Sequence, residues 1–92
     1  GVVTYQDIYG NLVTNIPVES LPLMRSIEVQ IKGRNIVGLC QTFNDAAHVG
    51  DDGLIALVAS HGYLEVALPN GSAAYLLSAG EGEVVRVGTV SG

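Results

Sequence analysis

Asp7 and Asn11 stand four residues apart in "DIYGNLVTNI", a run whose apolar residues otherwise read as a buried strand. Polar groups buried without partners cost free energy, so these side chains need something to bond. Further polar residues fall at the ends of apolar runs: Ser60 closes one, and Glu65 and Asn70 flank another. Strand ends gather at one rim in a small barrel, where a ligand would lie against Phe43, Tyr9 or Tyr63. Aromatic faces beside amide and carboxylate edges suit a purine, because the ring supplies stacking while Asn or Glu hydrogen-bonds the base. Turn asparagines with no ligand account for each residue singly just as well.

Other chemistry is thinly supplied. His48 and His61 have no second histidine at helical spacing and no cysteine pair, so a zinc site lacks ligands and no metal is expected. Ser60 and His61 are neighbours, and neighbours in a strand point to opposite faces, which argues against a nucleophile and base, an objection that a turn there would relax. "GEGEVV" places carboxylates where a phosphate loop needs positive charge. Asn44, Asp45, Asp51 and Asp52 do not follow calcium-loop spacing. Cys40, the single cysteine, sits in "NIVGLCQTF" and reads as a buried, reduced thiol.

The elements that must position these residues are short. Val- and Ile-rich runs recur between Gly, Asn and Asp signals, which predicts an all-β domain, a small β-barrel of about seven short strands. The strands are expected at residues 1–6, 11–16, 26–32, 35–42, 54–60, 63–68 and 83–90. "IKGRNI" places Gly33 and Asn35 at a hairpin tip, since both tolerate positive φ. Pro17 and Pro22 break the strand pattern, making residues 18–26 a crossover or short helical turn. One short helix is expected from Ser72 as N-cap through residues 73–78, with Gly80 as its stop.

Ninety-two residues form a single domain, residues 1–92, with room for one core but not for a core and an enclosed active site. Hydrophobic residues make up 48% and charged residues 14%, enough apolar surface to fold. Four Lys and Arg against nine Asp and Glu give a net charge of −5, which repels nucleic acid. No apolar run is long enough to span a membrane and the start does not resemble a signal peptide, so a cytoplasmic location is expected. The chain opens directly on strand-like residues, "GVVTYQD", compatible with a piece cut from something longer.

"YQDIYGNLVTNI", then "LIALVASHGYLEVALPNGSAA", then "GEGEVVRV" together resemble the C-terminal domain of the S-adenosyl-L-methionine (SAM) hydroxide adenosyltransferases, relatives of the SAM-dependent fluorinases and chlorinases. The resemblance covers nearly the whole chain. It implies a partner, an N-terminal α/β domain absent from these residues, and a homotrimer in which SAM lies between that domain of one subunit and the C-terminal domain of its neighbour. By the same resemblance, Asn11 reaches the adenosine, Asp7 faces the methionine ammonium, and Ser60 with His61 lies near the methionine carboxylate. Phe43 stands in the place of an aromatic that stacks on adenine, while Tyr63, Glu65 and the backbone of residues 70–73 shape the adenine end. No catalytic residue and no cofactor are implied in this chain; SAM is the substrate, and water activation belongs to the other domain.

Departures from the family pattern sharpen the expectation. Tyr9 and Phe43 keep a ring where family members often carry the other aromatic. His61 stands where halogenating members carry arginine, a permanent cation that forks onto a carboxylate, so the resemblance favours hydrolysis to adenosine and L-methionine over halogenation. The isolated 92 residues are expected to be inactive. The alternative is a stand-alone β-barrel interaction or structural module without catalysis.

Overall fold

Ile27, Val29 and Ile31 alternate with Glu28 and Gln30, and this two-residue period puts the branched side chains in the core and the polar ones outside. The elements of the computed structural model, which describes residues 1–21, 27–39, 53–58, 62–69 and 71–89, do not all alternate so strictly: residues 12–14 and 55–57 are buried in succession. In chain order the elements are β1 (Val3–Gln6), β2 (Leu12–Pro17), a 3₁₀ turn (Val18–Ser20), β3 (Ile27–Ile31), β4 (Arg34–Val37), β5 (Ile55–Val58), β6 (Tyr63–Ala67), α1 (Ala73–Leu77) and β7 (Val85–Thr89). Seven short strands and one short α-helix are thus observed among the described residues, as the sequence predicts. Among the described residues they form two antiparallel sheets, β1-β2-β6-β5 and β4-β3-β7, which are not closed into a cylinder. An isolated Val2–Val84 bridge joins the two.

Both sheets face one core. Leu12, Leu64 and Val66 from the first meet Ile27, Val29, Ile31 and Val85 from the second, and Ala73, Ala74 and Leu77 of α1 pack against the same cluster. Each fully buried branched side chain contributes about 1.5–3 kcal/mol, so this contact fixes how the helix sits against the strands.

The β3–β4 hairpin corrects one expectation. Its tip is Lys32 and Gly33, at φ 51° and 77°, while Asn35 lies within β4 opposite Gln30. A two-residue loop that matches the strand twist needs positive φ at both positions. Moving the tip to Asn35 would slip the register and turn Ile36 out of the core. The helix also stops early: Ser78, and not Gly80, adopts the left-handed conformation that ends it.

Candidate functional site

Residues 7–11 connect β1 to β2 in a turn tied from inside. The Asp7 N–H donates to the Asn11 carbonyl at 3.0 Å and the Gly10 N–H to the Asp7 carbonyl at 3.0 Å. The Asp7 carboxylate then gathers three donors: Oδ1 accepts from the Tyr9 N–H at 2.8 Å and the Asn11 N–H at 3.0 Å, and Oδ2 accepts from Asn11 Nδ2 at 3.1 Å. An ionised carboxylate is acceptor-only, which suits it to collect N–H groups in this way. With Nδ2 held by Asp7, the Asn11 amide is fixed with its acceptor oxygen turned away from that carboxylate. Asn11 is 8% exposed, so its orientation is also held by packing.

Helix α1 braces the turn from outside. The Ala74 N–H donates to the Gly10 carbonyl at 2.9 Å, and Gly10, at φ 84°, lies directly against Ser72. Folding the turn inward pushes its middle residues out: Ile8 is 91% and Tyr9 71% exposed, and Tyr75, next to Ala74, is 87% exposed. An open groove between the end of β1 and the helix runs alongside, lined by Gln6, Ser72, Ala74, Tyr75, Ser78 and Ala79. Apolar rings around a satisfied polar turn offer stacking faces and directed hydrogen bonds, the combination an aromatic heterocycle needs. Among the described residues no group of three or more His, Cys, Asp or Glu side chains gathers as a metal would require.

Of the sequence-predicted site residues, Asp7 and Asn11 are in direct contact. Glu65 is close by. Leu12 faces Val66 and Val13 faces Glu65 across the β2–β6 ladder, so Asn11 and Glu65 lie diagonally across it, within about 7–8 Å by strand geometry. Tyr63 faces Pro17 at the opposite end of β2, and the register does not bring it to the Asp7–Asn11 turn. Phe43, Ser60, His61 and Asn70 lie outside the described residues, as do Cys40 and the 44–52 stretch. Two polar neighbours have separate duties: Thr14 Oγ1 donates to the Leu64 carbonyl at 2.7 Å, and Asn15 Oδ1 accepts from the Val2 N–H at 2.9 Å. Sequence reading finds Ser72 as a helix cap and, through the resemblance, within the 70–73 backbone at the adenine end. Its contact with Gly10 is missed, and the sole signal for it is that both sit in the two motifs of the resemblance.

Two open antiparallel sheets, one capped helix and a polar turn braced by that helix define a small all-β domain carrying a preorganised polar turn. The chain belongs to the SAM hydroxide adenosyltransferase C-terminal domain family, which matches residues 1–86. It is similar to a solved uncharacterized conserved protein from Thermotoga maritima, at 28% identity and a TM-score of 0.73 over 96% of this chain. It is also similar to a solved conserved hypothetical protein from Thermus thermophilus, at 31% identity and a TM-score of 0.72 over 95% of this chain. The chain spans 35% and 34% of the lengths of those two proteins. No curated protein matches it. Among the described residues no helix is long and apolar enough to cross a membrane.

Proposed function

We propose that this domain is the substrate-holding part of a SAM hydrolase, gripping adenosine and the methionine head group where it meets the N-terminal α/β domain of a neighbouring subunit in a homotrimer. The observation that carries this reading is the Asp7–Asn11 turn, tied by the three N–H donors on its carboxylate and braced by α1, in a chain of this family. Asn11 addresses the adenosine with a fixed amide. Asp7 Oδ2 accepts one hydrogen bond from Asn11, and a carboxylate oxygen has a second lone pair, which suits the methionine ammonium. Glu65 lies on the adenine side, and Phe43 supplies the stacking ring. Ser60 and His61 attend the methionine carboxylate, with Tyr63 further along the adenine end.

In the reaction, a water oxygen forms a bond to ribose C5′ as the C5′–S bond breaks. The bonding pair goes to sulfur, which leaves as the neutral thioether of methionine, and one proton passes from the attacking water to a base or solvent. The sulfonium needs no protonation to leave, so the barrier lies in orienting and deprotonating water. Holding both ends of SAM fixes sulfur and C5′ on the line of attack, and binding far from the reacting carbon then appears in the rate.

The test is to incubate the two-domain protein with SAM and quantify adenosine and methionine by chromatography. Equimolar formation of both is expected, together with lost turnover and an unchanged fold in Asn11→Ala. The reading fails if SAM is not consumed, and halide attack replaces it if 5′-chloro-5′-deoxyadenosine forms in chloride.

A further inference from the structure

The first N–H groups of a helix have no partner within it. In α1 two of these groups are committed to structure. The Tyr75 N–H donates to Ser72 Oγ at 3.1 Å, while the Ala74 N–H leaves the helix for the Gly10 carbonyl at 2.9 Å; the first bond within the helix runs from the Leu76 N–H to the Ser72 carbonyl at 3.0 Å. Ser72 meets the turn a second time through packing. A Cβ placed on Gly10 would collide with Ser72 Oγ and stand 2.6 Å from Ser72 Cβ and 3.0 Å from Ser72 Cα. The same serine therefore sets the direction of the helix's first turn and forms the surface on which Gly10 rests.

Gly10 in turn is covalently joined to Asn11, and its own N–H bonds the Asp7 carbonyl. A displacement at Ser72 reaches both polar residues of the turn through one hydrogen bond and one contact. We propose that Ser72 is a positioning residue for the substrate-holding turn: by capping α1 and supporting Gly10, it sets where Asp7 and Asn11 stand. The inference rests on reading that turn as the part that holds SAM. A serine that serves only as a cap would affect helix stability and leave the turn where it is.

The amide of Asn11 reports the difference directly. In the ¹⁵N-labelled 92-residue chain its side-chain NH₂ resonance, identified by its disappearance in Asn11→Asp, is expected to shift in Ser72→Ala and return toward the wild-type position in Ser72→Thr, which keeps the hydroxyl. Ser72→Gly serves if Ser72→Ala does not fold, because glycine is tolerated at N-caps. In the two-domain enzyme, kcat/KM for SAM is expected to fall about tenfold in Ser72→Ala and recover in Ser72→Thr, the size that a small misplacement of a binding group produces. An Asn11 resonance that does not move when the hydroxyl is lost overturns the proposal, and so does an unchanged kcat/KM in an active enzyme. Absence of SAM turnover in the wild-type enzyme sinks the hydrolase reading instead, and the resonance shift still decides whether Ser72 places the turn.

Discussion

Asn11 is bound to Asp7 twice, through its backbone N–H to Oδ1 at 3.0 Å and through Nδ2 to Oδ2 at 3.1 Å. The two residues are one unit, and their substitutions should not add. Asp7→Asn keeps a carbonyl oxygen for the backbone donors but turns an NH₂ toward Asn11 Nδ2, setting donor against donor. Asn11→Asp alone sets carboxylate against carboxylate. The exchanged pair Asp7→Asn with Asn11→Asp restores one donor and one acceptor across the contact. A double-mutant cycle by urea unfolding should therefore give a coupling of roughly 1 kcal/mol in favour of the matched pairs. Additive losses would mean that the side-chain bond contributes nothing to the turn.

Gly10→Ala should be among the most damaging single-methyl changes in the domain. Positive φ costs an L-residue roughly 1–2 kcal/mol, and the added carbon also collides with Ser72. In a domain of this size each kcal/mol lowers Tm by roughly 4–8 °C. The double variant Gly10→Ala with Ser72→Gly should recover only part of the loss, because it removes the Ser72 side chain but leaves the backbone strain and the contact with Ser72 Cα. Full recovery of Tm would show that the collision alone matters, and no recovery would place the whole cost in φ.

How far the sequence reveals this arrangement depends on the range of the interaction. Alternation in Ile27, Val29 and Ile31 and the Ser72 cap are local signals, and the strands and helix follow from them. The hydrogen bonds of Thr14 to the Leu64 carbonyl and of Asn15 to the Val2 N–H join residues distant in the chain. The hairpin tip is read correctly at Gly33 and not at Asn35, because both tolerate positive φ and only the Ile31–Arg34 pairing decides between them. Placing Tyr63 depends likewise on the β2–β6 register, and four residues of extended strand carry it about 13 Å from Ala67. The seat of Gly10 on Ser72 joins segments far apart in the chain, and no local propensity encodes it.

Thr14→Val tests the seam between β2 and β6. The substitution keeps the side chain's shape in a position 1% exposed, but it deprives the Leu64 carbonyl of a donor and the Ile16 N–H of its acceptor at 3.2 Å. Leaving buried polar groups unpaired costs roughly 1–3 kcal/mol. Urea denaturation should show a lower midpoint with an unchanged m-value, since the surface exposed on unfolding is the same. A midpoint equal to wild type would mean that the hydroxyl's bonds are replaced without loss.

The isolated domain should bind adenosine poorly. One stacked base contributes roughly 1–3 kcal/mol, which must first offset the ligand's lost freedom before any net affinity remains. The Asp7–Asn11 turn is preorganised, so little of that loss comes from ordering the protein there. Yet Ile8, Tyr9 and Tyr75 stand open to solvent beside it, and a ligand resting there has one face in water. Calorimetry on the 92 residues should give a dissociation constant of about 1 mM or weaker, and no SAM turnover. Supplying the N-terminal α/β domain should tighten binding by enclosing the second face. A micromolar constant for the domain alone would show that its own residues complete the site, and the shared-site mechanism would have to be abandoned.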